Sequence, residues 1–152
     1  MILCCFSLVR SSIYEDEITL FGDVVVKSPD KARGHNNLGN ALKIAKRVPE
    51  AQIQFEAALA LAPDYPDALN NLSTVYNNSG RKREAVELLV HALSVDPGHV
   101  QARYNLAMYY YENGMQKDAD REYRIIIDIS PLSKEGIFSQ SMLRLIGRSG
   151  TR

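Results

Sequence analysis

Pro29, Pro63, Pro97 and Pro131 stand 34 residues apart along a chain of 152 residues. A fixed period of this length constrains the fold more than any single motif, because it is the signature of one supersecondary unit stacked on copies of itself. Each proline ends a helix, since it has no N–H for the ladder and crowds the preceding turn. Between the prolines each period reads as two helices. They are "ARGHNNLGNALKIA" and "PEAQIQFEAALALA", "PDALNNLSTVYNN" and "KREAVELLVHALSV", then "VQARYNLAMYYYEN" and "KDADREYRIIIDIS". Gly80 and Gly114 supply the left-handed residue that closes a first helix. Lys46 holds the same place in the first period, so a non-glycine residue is expected to bear left-handed strain there.

Apolar spacing follows helix geometry. Leu38 and Leu42, Leu72 and Tyr76, and Leu106 and Tyr110 are each i, i+4 pairs. In the second helices Ala51, Phe55 and Ala58 share one face, as do Ala85, Leu89 and Ala92, and Ala119, Tyr123 and Ile126. Gly39, Ser73 and Ala107 follow the first leucine of each period, and a side chain this small lets paired helices approach closely.

These residues resemble the tetratricopeptide repeat, whose pattern sets Leu-Gly, Tyr, Ala, Phe, Ala and Pro at fixed offsets within 34 positions. Leu38-Gly39, Ala51, Phe55, Ala58 and Pro63 carry the match in the first unit. His35 and Arg103 depart from it at the often aromatic fourth position. The resemblance implies an all-α solenoid of stacked antiparallel helix pairs, a short right-handed superhelix. Full units are expected at 32–65, 66–99 and 100–133. Residues 13–31 read as the second helix of a partial repeat, with Phe21 and Val24 in register. Residues 134–147 read as a capping helix with Phe138, Met142 and Leu145 on one face, since terminal repeats are usually atypical. A loose tail follows at 148–152.

Numbering each first helix from residues 32, 66 and 100, positions 4, 7 and 11 share the core azimuth, and positions 2, 5, 6, 9, 12 and 13 lie roughly opposite. In a stack of this family the first helices line the concave wall. The expected groove therefore takes Arg33, Asn36, Asn37, Asn40 and Lys43 from the first unit. It takes Asp67, Asn70, Asn71, Thr74 and Asn77 from the second, and Gln101, Tyr104, Asn105, Met108 and Tyr111 from the third. Asn37, Asn71 and Asn105 recur at one position. A carboxamide offers a donor and an acceptor side by side, as one peptide unit of an extended guest requires. Similar asparagines line the repeat superhelix of O-GlcNAc transferase and hold peptide backbone. The same asparagines could equally hydrogen-bond within the stack. Six such bonds at about 1 kcal/mol each barely offset an association cost of roughly 4–15 kcal/mol. Burial by Tyr104, Met108 and Tyr111 would have to supply the rest, unless these side chains pack under the capping helix.

Eighteen basic and eighteen acidic residues cancel, which leaves no electrostatic footprint for nucleic acid. An acidic-tail clamp of converging cations is not expected, because Arg33 and Lys43 both belong to the first unit and Asp67 opposes them. His35, His91 and His99 lack metal-ligand spacing, and no phosphate loop or nucleophile turn occurs. No enzyme, cofactor or small-molecule substrate is implied. The adjacent Cys4 and Cys5 cannot staple a long loop. "MILCCFSLV" is too short to span a bilayer by itself. Residues 13–39 also resemble the junction between the last membrane helix and first repeat of bacterial proteins related to transmembrane-and-TPR O-mannosyltransferases. The expected function is a scaffold that binds an extended peptide or partner helix; the alternative is an accessory domain positioning protein acceptors for a membrane glycosyltransferase. The first reading implies a cytoplasmic protein if the chain is complete. The second places the repeats on the outer face of a membrane.

Overall fold

The periodic pattern folds into eight helices and no strand among the described residues. They are α1 (Ile2–Lys27), α2 (Ala32–Ile44), α3 (Val48–Leu61), α4 (Pro66–Asn78), α5 (Lys82–Val95), α6 (Val100–Glu112), α7 (Gln116–Ile129) and α8 (Lys134–Ser149). This computed structural model describes the backbone of residues 2–149 and the side chains of residues 15–147. The side chains of "MILCCFSLV", Cys4 and Cys5 included, and residues 150–152 of the expected tail lie outside that range. Among the described residues no helix is long and apolar enough to cross a membrane. The chain divides into two compact units, Met1–Val75 and Tyr76–Arg152.

In the first unit α2 packs between α1 and α3. The approach to α3 is set by Gly39, where an added Cβ would lie 2.7 Å from the ring of the fully buried Phe55. The approach to α1 is set by Gly34, facing Val24 and Val25. The turn after α2 has the expected strain: Lys46 adopts φ 66°, beside Gly80 at 81° and Gly114 at 73° in the later turns. Each left-handed residue lets the next amide reach back across the turn. Arg47 N donates to Leu42 O at 2.9 Å, Arg81 N to Tyr76 O at 2.9 Å, and Met115 N to Tyr110 O at 2.8 Å. These bonds satisfy carbonyls that the helix ends would otherwise leave open.

In the second unit α6 packs against α5 and α7, and α7 against α8. Ala107, Ala119, Tyr123, Ile126 and Met142 form its core, with Tyr104, Tyr110, Leu143 and Ile146 packed against them. Burial pushes the Tyr123 phenol well above the ordinary tyrosine range. The hydroxyl of Ser133 caps α8 by accepting from Gly136 N at 2.9 Å. Gly136 has no room for a side chain: a Cβ would fall 2.1 Å from the carbonyl oxygen of Ser130.

The face of α8 that turns inward differs from the expected one. Met142 is buried, but Phe138 is 38% exposed and Leu145 52%. The packed side carries Gly136, Ser139 and Met142, flanked by the half-buried Leu143 and Ile146. The reason is register. Gly136 occupies position 3 of a fourth period, where Gly34, Ala68 and Ala102 are also buried. α8 thus sits on the preceding repeat as a first helix does, with its own second-helix face outward.

The two departures at position 4 also share one geometry. His35 Nδ1 meets the Gln54 carboxamide at 2.8 Å, and Nε2 donates to the carbonyl of Pro29 at 3.0 Å. Sixty-eight residues later Arg103 pairs with Glu122 and donates from Nη2 to the carbonyl of Pro97 at 2.6 Å. Each side chain ties the start of a first helix to position 23 of the following helix and to the repeat-ending proline. The ion pair is enclosed, with Arg103 11% and Glu122 7% exposed. Positions 4 and 23 of the middle period carry Leu69 and Leu88.

Candidate protein-interaction surface

Position 5 was expected on the open wall. Instead, in both units it faces the first helix that follows. Asn36 is buried and its Oδ1 accepts from Asn71 Nδ2 at 3.0 Å. Tyr104 meets Phe138 of α8 edge to face, with centroids 5.4 Å apart and planes at 72°. A helical wheel gives the azimuth of position 5 but not the neighbour that stacks over it. These two residues therefore brace adjacent repeats, one pair with amides and the other with rings.

Asn71 is committed twice, because Lys43 Nζ donates to its Oδ1 at 2.8 Å. The resulting chain, Lys43 to Asn71 to Asn36, ties α2 to α4. Lys43 also lies 5.7 Å from the centroid of the Phe55 ring. Burial alone holds its ammonium below the ordinary lysine range. No described carboxylate pairs with it, and two of its three N–H donors have no partner among the described residues.

The remaining wall residues separate by repeat. On α2, Asn37 is half-buried, while Asn40 and Arg33 are exposed. The carboxamides of Asn37 and Asn40 have no hydrogen-bond partner among the described residues. On α4, Thr74 returns its hydroxyl to the Asn70 carbonyl at 3.1 Å, and both residues are half-buried. On α6, Asn105 is half-buried and engaged. Met108 Sδ accepts from the Tyr123 hydroxyl at 3.3 Å, and Tyr111 is exposed. The asparagines at position 6 thus share a register but not a role. Sequence reasoning missed Gln54 and Glu122 as partners. Their signal was available in the matched chemistry at positions 4 and 23, which reads His with Gln, Leu with Leu, and Arg with Glu.

Family models described as tetratricopeptide repeat match residues 30–98 and 70–133. No curated protein matches the chain. Similar solved structures include the first TPR of Spaghetti (RPAP3) bound to HSP90 peptide SRMEEVD. It aligns with TM-score 0.71 and 16% identity over 80% of this chain and 94% of that one. The Arabidopsis OM64 TPR domain aligns with TM-score 0.67 and 18% identity, over 75% and 94%. A repeat protein from Parabacteroides merdae aligns with TM-score 0.72 and 18% identity, over 95% and 57%. At such identities the likeness shows the fold alone.

Proposed function

The chain belongs to the tetratricopeptide repeat family, and we propose that it is a non-catalytic interaction scaffold that takes an extended peptide along the exposed side of its first helices. The observation that carries this reading is Lys43. A partly desolvated ammonium without a carboxylate is unfavourable in isolation, and a guest carboxylate would complete it. Asn37 and Asn40, on the same helix, offer uncommitted carboxamides to the guest backbone on either side of that anchor. A charge-assisted hydrogen bond is roughly twice as strong as a neutral one, which supplies what an asparagine ladder alone lacks. The related Spaghetti domain holds a peptide with two glutamates and an aspartate, which agrees with an acidic guest.

The test is selection of extended heptapeptides from a displayed random library on the full chain. Enrichment of sequences bearing Asp, Glu or a free C-terminus is expected. Lys43→Met should abolish capture of the selected peptides, and Asn37→Ala should weaken it about five- to tenfold, with thermal unfolding unchanged for Asn37→Ala. Peptides that bind Lys43→Met as well as they bind the parent chain would sink the proposal.

A further inference from the structure

Position 11 of a first helix is Tyr76 in the second period and Tyr110 in the third, but Leu42 in the first. The Tyr110 ring packs against the core of its unit. The Tyr76 ring lies under the guanidinium of Arg81, at position 16, whose carbon is 3.5 Å from the ring centroid. Glu84 holds that guanidinium, accepting from Nε at 2.8 Å. The first period repeats the cation and its carboxylate. Arg47 Nε donates to Glu50 Oε1 at 2.7 Å, and Nη2 to Oε2 at 2.6 Å. What differs is the residue at position 11, a leucine in place of the ring.

A recess of about 270 Å³ is lined by both Leu42 and Arg47. Leu38 and Leu42 of α2, both buried, form its floor, Ile18 and Gly22 of α1 one side, and Ile53 of α3 the other. An added Cβ at Gly22 would meet nothing within 4 Å, so no neighbouring side chain fills the space beside it. Register keeps this side open. Ile18 and Gly22 hold positions 21 and 25. In later repeats position 21 is half-buried at Gln52 and Asp120, and position 25 is exposed at Glu56 and Arg124. That exposure persists although α2 packs on α3 and α6 on α7. The recess uses positions 7 and 11 of α2, opposite the wall that carries Asn37 and Asn40. It is a second site, separate from Lys43.

We propose that this recess binds a tyrosine side chain of a partner protein, whose ring stacks on Arg47 as Tyr76 stacks on Arg81. Size permits it, since a cavity of about 150 Å³ already takes benzene. Charge complementarity selects a ring over an alkyl side chain. The face of an aromatic ring is negative and attracts a guanidinium. Glu50 fixes the plane of the Arg47 guanidinium through two parallel bonds, so little freedom is lost when a ring lies on it. The leucines and isoleucines supply apolar contact, while Glu50 and Gln54, also lining the recess, offer acceptors for a phenol hydroxyl.

Titration of the full chain with N-acetyl-tyrosinamide, read by amide chemical shifts, tests this. The amides of Gly22, Leu42 and Arg47 should shift and saturate at about millimolar probe, and N-acetyl-leucinamide should bind about fivefold more weakly or not at all. Gly22→Leu fills the recess from an open helix position, so it should abolish binding while the fold is kept or slightly stabilised. Arg47→Met, which copies Met115 at position 16 of the third period, should weaken binding about two- to fivefold. Lys43→Met should change nothing, which separates this site from the peptide wall. Heptapeptides selected from a displayed library on the Lys43→Met chain should carry tyrosine and lose capture on adding Gly22→Leu. Tyrosinamide that shifts none of these amides, or that binds Gly22→Leu as well as the parent, overturns the proposal, as does equal binding of leucinamide. Shifts that grow with protein concentration alone would give the recess to a second copy. Binding of free p-cresol without selection of tyrosine peptides would give it to a small aromatic ligand. Either result overturns the choice of a partner protein.

Discussion

The first and third repeats place the same backbone under different chemistry. At position 4 one uses a histidine–glutamine contact and the other an enclosed arginine–glutamate pair, with identical spacing to position 23 and to the preceding proline. At position 5 one buries an asparagine against an asparagine and the other sets a tyrosine against a phenylalanine. Register therefore decides which residues meet, and residue type decides whether the contact is neutral, ionic or aromatic. The same difference distributes uncommitted polar groups. The first repeat keeps a cation and two carboxamides available, while the third commits Tyr104 and Met108 to its own packing.

The position 4 contacts should break unequally. Arg103→Ala leaves the buried Glu122 carboxylate with only the exposed Arg121, whose Nε donates to Oε1 at 3.1 Å, and should cost about 2–3 kcal/mol, whereas His35→Ala should cost about 1 kcal/mol. The double change Arg103→Leu with Glu122→Leu copies the residues of the middle repeat, and it also removes the buried Arg103 Nε that lacks a partner. It should leave stability unchanged or improve it. Urea unfolding reads all three; a loss from the double change as large as that from Arg103→Ala would show that the site requires its charges.

Position 8 comes next. Gly39→Ala must displace the Phe55 ring and should cost about 1–2 kcal/mol even after its gain in helix propensity. The third repeat already carries Ala107 against Tyr123, so Ala107→Gly should also destabilise, by about 1 kcal/mol. If both substitutions are neutral, position 8 does not set helix spacing.

The turns should show a smaller, opposed pair. An added Cβ at Gly114 meets nothing within 4 Å, so Gly114→Ala reports left-handed strain alone, about 1–2 kcal/mol. Lys46→Gly relieves that strain but frees the unfolded chain, so a gain below about 1 kcal/mol is expected. Thermal melts of the two variants should move in opposite directions.

The smallest effect concerns Lys43. Its folded pKa lies below the ordinary value, so at high pH the native state releases this proton before the unfolded state does. Between the folded value and the ordinary value of about 10.4 the unfolded chain binds more protons, and stability rises with pH. Below that window the desolvated charge opposes folding. Lys43→Met should therefore flatten the alkaline part of the unfolding profile and slightly stabilise the guest-free chain, while losing acidic peptides. An unchanged profile would mean that Lys43 is solvated in the native state.

Much of this architecture is legible in the sequence. The prolines, Gly80, Gly114, the small residues at position 8 and the i, i+4 leucines act through local geometry, and a 34-residue period repeats that geometry. Even the strain at Lys46 followed from register. The site was legible only in part. Asn37 and Asn40 stand uncommitted on the first-helix wall, but Asn36 and Asn71, with the same side chain and a neighbouring azimuth, close on each other. The inward face of α8 likewise depended on the helix beneath it.

The sequence by itself determined the helix pairs of the three periods and the phase of α1 and α8 in the repeat, though α1 begins at Ile2 and not at residue 13, because pairing and phase depend on backbone sterics and on periodicity along one chain. Tertiary structure alone decided that Asn71 belongs to Lys43 and Asn36, that Tyr104 belongs to Phe138, and that Lys43 has no described acid. A hydrogen bond or ring contact needs two side chains within a few ångströms, and the distance between residues some thirty positions apart is set by how helices stack.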